Sequence, residues 1–172
     1  DGRATQWSGA SVGSWACTPG GWNSPKLRPT TETFLVLEGE GCVTDADGMA
    51  HPFGAGDVVV LPKHWCGRWD ITLQIHKLWV VHDHPDVAGA ADGVVRAVVA
   101  PLPGFEPQVQ RPPIVKGALH EAPANVAQTI YDVGATRVGF LSCSPGSFVI
   151  AERSKAECFF VANGVFFLTN LD

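Results

Sequence analysis

The sequence lacks several features that mark familiar functional classes. Only 12 residues are Lys or Arg against 17 Asp or Glu, so the net charge of −5 offers no basic surface for general nucleic-acid binding. No apolar run approaches the roughly 18 residues that a membrane-spanning helix requires. We therefore expect neither a nucleic-acid partner nor a membrane-spanning segment.

Cysteine is present, but never with the spacing of a zinc or redox motif. Five cysteines are an odd number and no two form a C-x-x-C pair, which argues against a zinc ribbon and a complete disulfide framework. We expect reduced, mostly buried thiols in an intracellular, soluble protein, either cytoplasmic or organellar. Small and apolar neighbours indicate core positions for Cys17 and Cys143. The remaining thiols belong to Cys42, Cys66 and Cys158.

Long helical periods are also scarce, whereas turn-forming residues are abundant. Hydrophobic residues make up 45% of the chain and charged residues 17%, so the chain can bury a core. Short apolar stretches alternate with turn signals such as Asp47-Gly48 and Gly56-Asp57. This pattern predicts an all-β domain built as a barrel or a sandwich.

Residues 17–70 contain two blocks of regularly spaced residues. The first block consists of Gly20, Lys26, Arg28, Glu32 and Gly39, and the second of Gly56, Asp57, an apolar run and Pro62. This spacing resembles the two motifs of the cupin superfamily, especially the branch around ureidoglycine aminohydrolase and the ethanolamine-utilisation cupins. The resemblance implies a double-stranded β-helix, or jelly-roll barrel.

The resemblance also implies a metal site whose ligands are mostly lost here. Metal-binding cupins take two His and a Glu from the first motif and a third His from the second, and these ligands suit Mn, Fe, Ni or Zn. The three His positions hold Lys26, Arg28 and Gly67, and only Glu32 remains. Because two cations beside one carboxylate repel a divalent ion, we expect no metal and no cofactor.

The charged residues of the first motif form the candidate binding site. Residues of equal parity on a strand face the same way, so Lys26, Arg28 and Glu32 are predicted to cluster in the barrel mouth. The cluster is either a pocket for a small anionic ligand or a structural ion pair that fills the space of the lost metal.

Aromatic and histidine side chains extend this candidate site. Trp69 is one of five tryptophans between residues 15 and 79, which form either an aromatic pocket or core packing. His64, at a position where the family has Gly, and His76 are acid–base candidates or hydrogen-bonded structural residues. The His-Asp-His-Pro-Asp segment at 82–86 has some metal-ligand character, but we interpret it as a solvated turn.

An internal repeat is visible in the second half of the chain. Residues 12–20 and 138–146 share the pattern Val-Gly-x-x-x-Cys-x-Pro-Gly. After a one-residue deletion, Arg153 and Glu157 are the second-copy equivalents of the charged pair in the first motif. We therefore predict a tandem bicupin with a first barrel at 1–84, an interdomain linker at 85–128 and the N-terminal half of a second cupin at 129–172.

The truncated second copy has a consequence for partners. Residues 157–168 align with central strands of the first barrel, but the segment that covers those strands has no second-copy equivalent in this sequence. Exposed apolar side chains are costly, at about 1.5–3 kcal/mol each, so we expect a protein partner or further chain to cover Phe159–Leu168.

Three functions remain open at this point. The first is a degenerate metal-free cupin that acts as a structural or accessory subunit of a larger assembly. The second is a metal-free binding module for a small anionic ligand. The third is an enzyme similar to ureidoglycine aminohydrolase or another cupin enzyme, which the lost histidines make the least favoured.

Overall fold

The computed structural model describes residues 3–7, 10–86, 93–104, 125–147, 156–166 and 168. These residues form ten strands and no helix, which confirms the all-β class. The described residues accordingly include no helix that is long and apolar enough to cross a membrane. The strands are β1 (Arg3–Trp7), β2 (Ala10–Cys17), β3 (Gly20–Ser24), β4 (Thr31–Asp45), β5 (Ala50–Gly54), β6 (Asp57–Leu61), β7 (Gly67–His82), β8 (Val98–Pro101), β9 (Asn125–Val133) and β10 (Thr136–Cys143).

Two long antiparallel strands, β4 and β7, form the spine of the first sheet. They pair from Thr31 opposite His82 to Asp45 opposite Gly67. At the Thr31 end, β2 pairs with β7 and β6 pairs with β4. At the Asp45 end, β3 pairs with β7 and β5 pairs with β4. Each long strand thus has different neighbours at its two ends, as expected for a jelly-roll barrel.

A bend in the middle of β4 makes this exchange of neighbours possible. The β4–β7 register shifts three times between Val36 and Gly41, and such bulges bend a strand and increase its twist. Gly39 lies at the bend with a φ of 89°, and a Cβ there would overlap the backbone carbonyl of Gln74. A residue without a side chain is therefore required at this point.

Apolar side chains from several strands form one buried core. Phe34 and Val36 of β4 belong to it together with Trp69, Ile71 and Ile75 of β7. The remaining buried members of this core are Val43, Phe53, Val59, Leu61, Trp65 and Ala97.

A buried carboxylate ties the end of β4 to two loops. The Oδ1 atom of Asp45 accepts hydrogen bonds from Trp65 Nε1 at 2.7 Å and from the backbone N–H of Ala97 at 3.0 Å. Its Oδ2 atom lies 2.7 Å from His51 Nε2. A buried carboxylate is tolerated only with such partners, so Asp45 fixes both loops against the barrel.

The first sheet extends into the segment that the sequence predicts as a linker. The strand β8 pairs with β6, and Ala97 is buried in the core. The backbone N–H of Leu102 also donates to Gly56 O at 2.8 Å. The prediction of a linker over 85–128 is therefore wrong for residues 95–102, because this apolar run packs against the barrel. Residues 105–124 lie outside the described part of the chain.

The second half contains a separate two-stranded sheet. The strands β9 and β10 form an antiparallel hairpin with Val133 opposite Thr136 and Tyr131 opposite Val138. Residues 156–166 contain no strand, so the expectation of central strands at 157–168 is wrong for these described residues. A strand needs a neighbour to satisfy its backbone groups, and no described segment pairs with this one.

The cysteines differ from expectation in their burial. All five thiols are free, and Cys17, Cys42 and Cys66 are half-buried. Cys143 and Cys158 are exposed, so the prediction of mostly buried thiols is wrong for these two. Cys143 is not a core residue because it lies on the two-stranded sheet, whose described neighbours do not cover it.

Two glycines test how tightly the barrel is packed. A Cβ on Gly67 would overlap Thr44 O and lie 2.9 Å from the Trp65 ring, whereas no heavy atom lies within 4 Å of one on Gly20. We expect Gly67→Ala to lower the free energy of unfolding by about 1–3 kcal/mol because of overpacking. The control Gly20→Ala should change it by at most about 1 kcal/mol. Equal urea midpoints for the two variants would contradict this packing.

Candidate functional site

An open cleft of about 360 Å³ is lined by residues of the first sheet. Its walls come from β2, β3, β4 and β7 and from the loop that precedes β4. Most of the lining side chains are aromatic or charged, a combination typical of small-molecule sites. They belong to Trp15, Trp22, Ser24, Arg28, Glu32, Trp69, Lys77, Trp79 and Val81.

A single carboxylate holds two cations in this cleft. Glu32 Oε1 lies 2.7 Å from Lys77 Nζ, and Glu32 Oε2 lies 2.7 Å from Arg28 Nη2. Glu32 is only 8% exposed, so both ion pairs form largely away from water. Each oxygen therefore serves one cation, and the cluster keeps one net positive charge.

The ammonium group of Lys77 also sits among aromatic rings. Its Nζ atom lies 4.0 Å from the ring centroid of Phe34, 4.6 Å from that of Trp69 and 5.1 Å from that of Trp15. Burial lowers the pKa of Lys77, Glu32 opposes this effect, and the nearby charge of Arg28 lowers the pKa further. The neutral amine form is therefore more populated at Lys77 than at a surface lysine at the same pH.

Arg28 is fixed by its backbone although it lies outside any strand. Its N–H donates to Trp65 O at 3.0 Å, and its carbonyl accepts from the N–H of His64 at 2.7 Å. The guanidinium binds Glu32 through Nη2, but its Nε is buried without a partner. Within the described part of the chain, no other buried side-chain nitrogen or oxygen lacks a hydrogen bond.

Stacked aromatic rings build the apolar wall. Trp22 stacks on Trp69 with a centroid distance of 5.6 Å and an interplanar angle of 10°, and Trp69 stacks in turn on Phe34 at 5.5 Å. Trp15 contacts Trp22 edge to face at 6.1 Å. Because Trp22 is 38% exposed, it presents apolar surface at the mouth of the cleft.

The structure brings together three of the six first-barrel residues predicted for the site. Arg28, Glu32 and Trp69 line the cleft, and the predicted Arg28–Glu32 pair is present. Lys26 is exposed and does not line the cleft. Its predicted place in the cluster is wrong because residues 25–30 are not a strand, so the parity argument does not apply.

The two lone histidines lie elsewhere. His76 has the opposite parity to Lys77 on β7 and therefore faces away from the cleft. His64 lies in the turn after β6 with a φ of 71°, a left-handed conformation that favours the Gly expected there. Its Nε2 atom is 2.8 Å from Asp86 Oδ1. Neither His64 nor His76 lines the cleft.

The His-Asp-His-Pro-Asp segment is more ordered than a solvated turn. His84 is buried, its Nδ1–H donates to Pro85 O at 2.9 Å and its Nε2 lies 2.8 Å from Thr31 Oγ1. The Nζ of Lys63 donates to His84 O. The interpretation as a solvated turn is wrong for His84, because these bonds anchor it beside the start of β4.

The residues at the usual cupin metal positions do not fit a metal ion. Arg28 is engaged with Glu32, Lys26 is exposed, and a side chain at Gly67 would overlap the backbone of Thr44. Within the described ranges, no three His, Cys, Asp or Glu side chains lie close enough to share an ion. The absence of metal from the protein stays a prediction.

The sequence analysis did not include Lys77 in the candidate site. The signal for Lys77 was its parity, because it follows Trp69, Ile71 and Ile75 on the inward face of β7. Of the two roles expected for the tryptophans, core packing holds for the fully buried Trp65. The tryptophans at 15, 22 and 79 instead line the cleft.

Of the second-copy residues, Glu157 is exposed, and Arg153 lies outside the described residues.

Comparison with known proteins agrees with this architecture. Residues 5–79 match the family model of EutQ-like cupin domains. This part of the chain is similar to EutQ-like cupin domains. Every lining residue of the cleft except Val81 lies within the matched segment. No curated protein sequence matches the chain significantly.

Several solved structures are similar to part of this chain. A DUF861 family protein from Thermotoga maritima is 29% identical, with 38% of this chain and 73% of that chain covered and a TM-score of 0.36. A cupin superfamily protein from Desulfitobacterium hafniense is 16% identical, with coverage of 48% and 76% and a TM-score of 0.43. The EutQ protein of Clostridium difficile is 12% identical, with coverage of 47% and 60% and a TM-score of 0.42.

We expect the carboxylate of Glu32, which pairs with both cations, to contribute more to the stability of the cluster than either cation does. Glu32→Leu leaves Arg28 and Lys77 as neighbouring uncompensated cations, and we expect it to lower the free energy of unfolding by about 3–5 kcal/mol. Arg28→Met should cost less, because Lys77 keeps its partner and Arg28 is 21% exposed. Urea denaturation at neutral pH measures both losses.

A surface ion pair provides the control for this series. Arg68 and Asp70 pair at 2.6 Å with both side chains well exposed, so Asp70→Ala should cost no more than about 1 kcal/mol. Replacing Arg28, Glu32 and Lys77 together by Met, Leu and Met should recover most of the loss caused by Glu32→Leu. A Glu32→Leu variant as stable as Asp70→Ala would show that the cluster is not energetically coupled.

Proposed function

We propose that the cupin domain is a metal-free binding module for a small anionic ligand that occupies the tryptophan-lined cleft. The supporting observation is the buried Nε–H of Arg28, a residue that lines the cleft, because this donor has no hydrogen-bond partner in the described part of the chain. A buried donor without an acceptor costs about 1–3 kcal/mol, and an oxygen of a bound anion removes that cost.

The local charge supports an anion over a cation. Arg28 and Lys77 carry two positive charges against the single charge of Glu32. The chain as a whole carries a net charge of −5, so the net charge of this cluster is opposite in sign to that of the chain. In a partly dehydrated site, a net charge attracts its counterion more strongly than in bulk water.

The aromatic wall indicates the rest of the ligand. Trp22 offers an exposed ring above the Trp69 and Phe34 stack, and Trp15 and Trp79 complete the apolar lining. Flat apolar groups stack favourably on such rings. We therefore propose a carboxylate with a small planar or apolar body, in preference to a highly hydrated inorganic anion.

A fluorescence titration tests this function. We expect benzoate to change the tryptophan emission of the protein, whereas the uncharged isostere benzamide should bind about tenfold more weakly or worse, because a charge-assisted hydrogen bond is lost. Arg28→Met should abolish the preference for benzoate, while Lys26→Met, which changes an exposed lysine outside the cleft, should keep it.

The same titration separates the alternatives. Equal binding of benzoate and benzamide, or an unchanged preference in Arg28→Met, would contradict the proposed anion site. Loss of binding after chelation and dialysis would show that a metal is required, which the proposal does not allow.

A second role, as a subunit of a larger assembly, is favoured by the second half of the chain. Strands β2 and β10 occupy equivalent positions of the sequence repeat, Ala10–Cys17 and Thr136–Cys143. The hairpin registers also correspond next to the turn, since Trp7 faces Ala10 and Val133 faces Thr136, although the β9–β10 register shifts after Val138. These correspondences support a bicupin with copies at 1–84 and 129–172.

The second copy exposes an apolar surface that a partner or further chain would cover. Phe159 and Phe166 contact each other edge to face at 5.2 Å, yet each is 47% exposed. Contiguous exposed apolar side chains of this kind mark interaction surfaces. The other exposed members are Val161, Val165 and Leu168.

Particle size and hydrophobic-dye binding test this role. We expect residues 1–172 to assemble or to bind the dye strongly, because the surface around Phe166 is uncovered in the single chain. Phe166→Asp should reduce assembly and dye binding. The control Leu73→Asp changes an equally exposed apolar residue of the first sheet and should not. A monomer that binds no dye would refute the role.

A further inference from the structure

Lys77 is the most buried of the described lysines. Only 5% of the residue is exposed, and its Nζ atom borders the cleft between Glu32 and three aromatic rings. Lys26 is exposed and Lys63 is half-buried. A lysine dehydrated by aromatic walls beside a second cation is the environment in which lysine amines become nucleophiles.

We propose that Lys77 forms an imine with the carbonyl carbon of a small 2-oxo acid bound in the cleft, an inference that rests on the proposed anion binding. The carboxylate of the 2-oxo acid would accept from the free Nε–H of Arg28. Its carbonyl group would then lie on the side of Lys77, because Arg28 and Lys77 bind the two oxygens of the same Glu32 carboxylate.

The groups needed for the step are present in the cluster. The lone pair of neutral Lys77 Nζ forms a C–N bond, and the π-electron pair of the carbonyl moves to its oxygen. Glu32, at 2.7 Å from Nζ, takes a proton from nitrogen and delivers it to that oxygen, which gives a carbinolamine. A second nitrogen proton follows the same route, the C–O bond breaks and water leaves. The step needs no oxidant, reductant or metal.

Burial supports the neutral amine that this step requires. It lowers the pKa of Lys77, while the charge of Glu32 acts in the opposite direction. Glu32 also forms an ion pair with Arg28, so its carboxylate is shared between Arg28 and Lys77. The folded protein therefore holds more neutral amine at Lys77 than at an exposed lysine such as Lys26 at the same pH.

The aromatic lining restricts the carbonyl compounds that reach Lys77. Trp15 and Trp22 line the cleft, and the Nζ atom of Lys77 lies 5.1 Å from the ring centroid of Trp15. These aromatic walls favour a short or flat molecule over a branched polar one. The requirement for a carboxylate next to the carbonyl comes from Arg28. This combination selects 2-oxo acids over simple ketones and sugars.

Reductive trapping tests the proposal on the whole chain. The protein is incubated at neutral pH with pyruvate and sodium cyanoborohydride, and the adduct is located by peptide mass mapping. We expect one adduct per chain at Lys77, little or none at Lys26 and Lys63, and much less with acetone, which lacks the carboxylate. Lys77→Met should lose the adduct, Arg28→Met should lose the preference for pyruvate over acetone, and Lys26→Met should keep both.

Other results of these experiments would contradict the imine proposal, or both the imine proposal and the proposed anion binding. Labelling spread evenly over the lysines, or equal labelling by pyruvate and acetone, overturns the imine proposal. Anion binding in the fluorescence titration without any trapped adduct overturns the imine but leaves the proposed function intact. Absence of both binding and adduct removes both. Mapping on the unmodified chain decides the site even if a variant fails to fold.

Discussion

The antiparallel pairing of β4 with β7 is the interaction on which the rest of the structure depends. Both strands exchange neighbours along their length, so one hydrogen-bonded ladder connects the two ends of the barrel. The bend at Gly39 makes this geometry possible, because a side chain there would collide with β7. The same pairing places Glu32 and Lys77 on facing strands, so the spine of the fold also builds the cleft.

The charged cluster consists of one carboxylate that binds two cations of the protein itself. In the resemblance to metal-binding cupins, Glu32 would bind an ion together with histidines. Here Arg28 and Lys77 occupy its two oxygens at 2.7 Å each, so protein cations neutralise the carboxylate. The cluster therefore contains two cations for one anion, and the Nε–H of Arg28 is buried without an acceptor.

The two halves of the chain differ in how completely they bury apolar surface. The first half closes a core around Phe34 and Trp69, and β8 completes one side of it. The described part of the second half offers only the β9–β10 hairpin and the exposed surface around Phe166. Two-stranded hairpins are marginal by themselves in water, so a covering partner would stabilise this half more than the first.

The sequence by itself determined the all-β class and the similarity of its motifs to a jelly-roll barrel, and it offered the Arg28–Glu32 pair as one of two alternatives, because motif spacing and strand periodicity are local properties. Tertiary structure decided the contents of the cleft. Lys77 is far from Glu32 in sequence, and only the β4–β7 register brings their side chains together. Lys26 was misplaced because strand parity was applied to a loop, and β8 was missed because its pairing with β6 is a long-range contact.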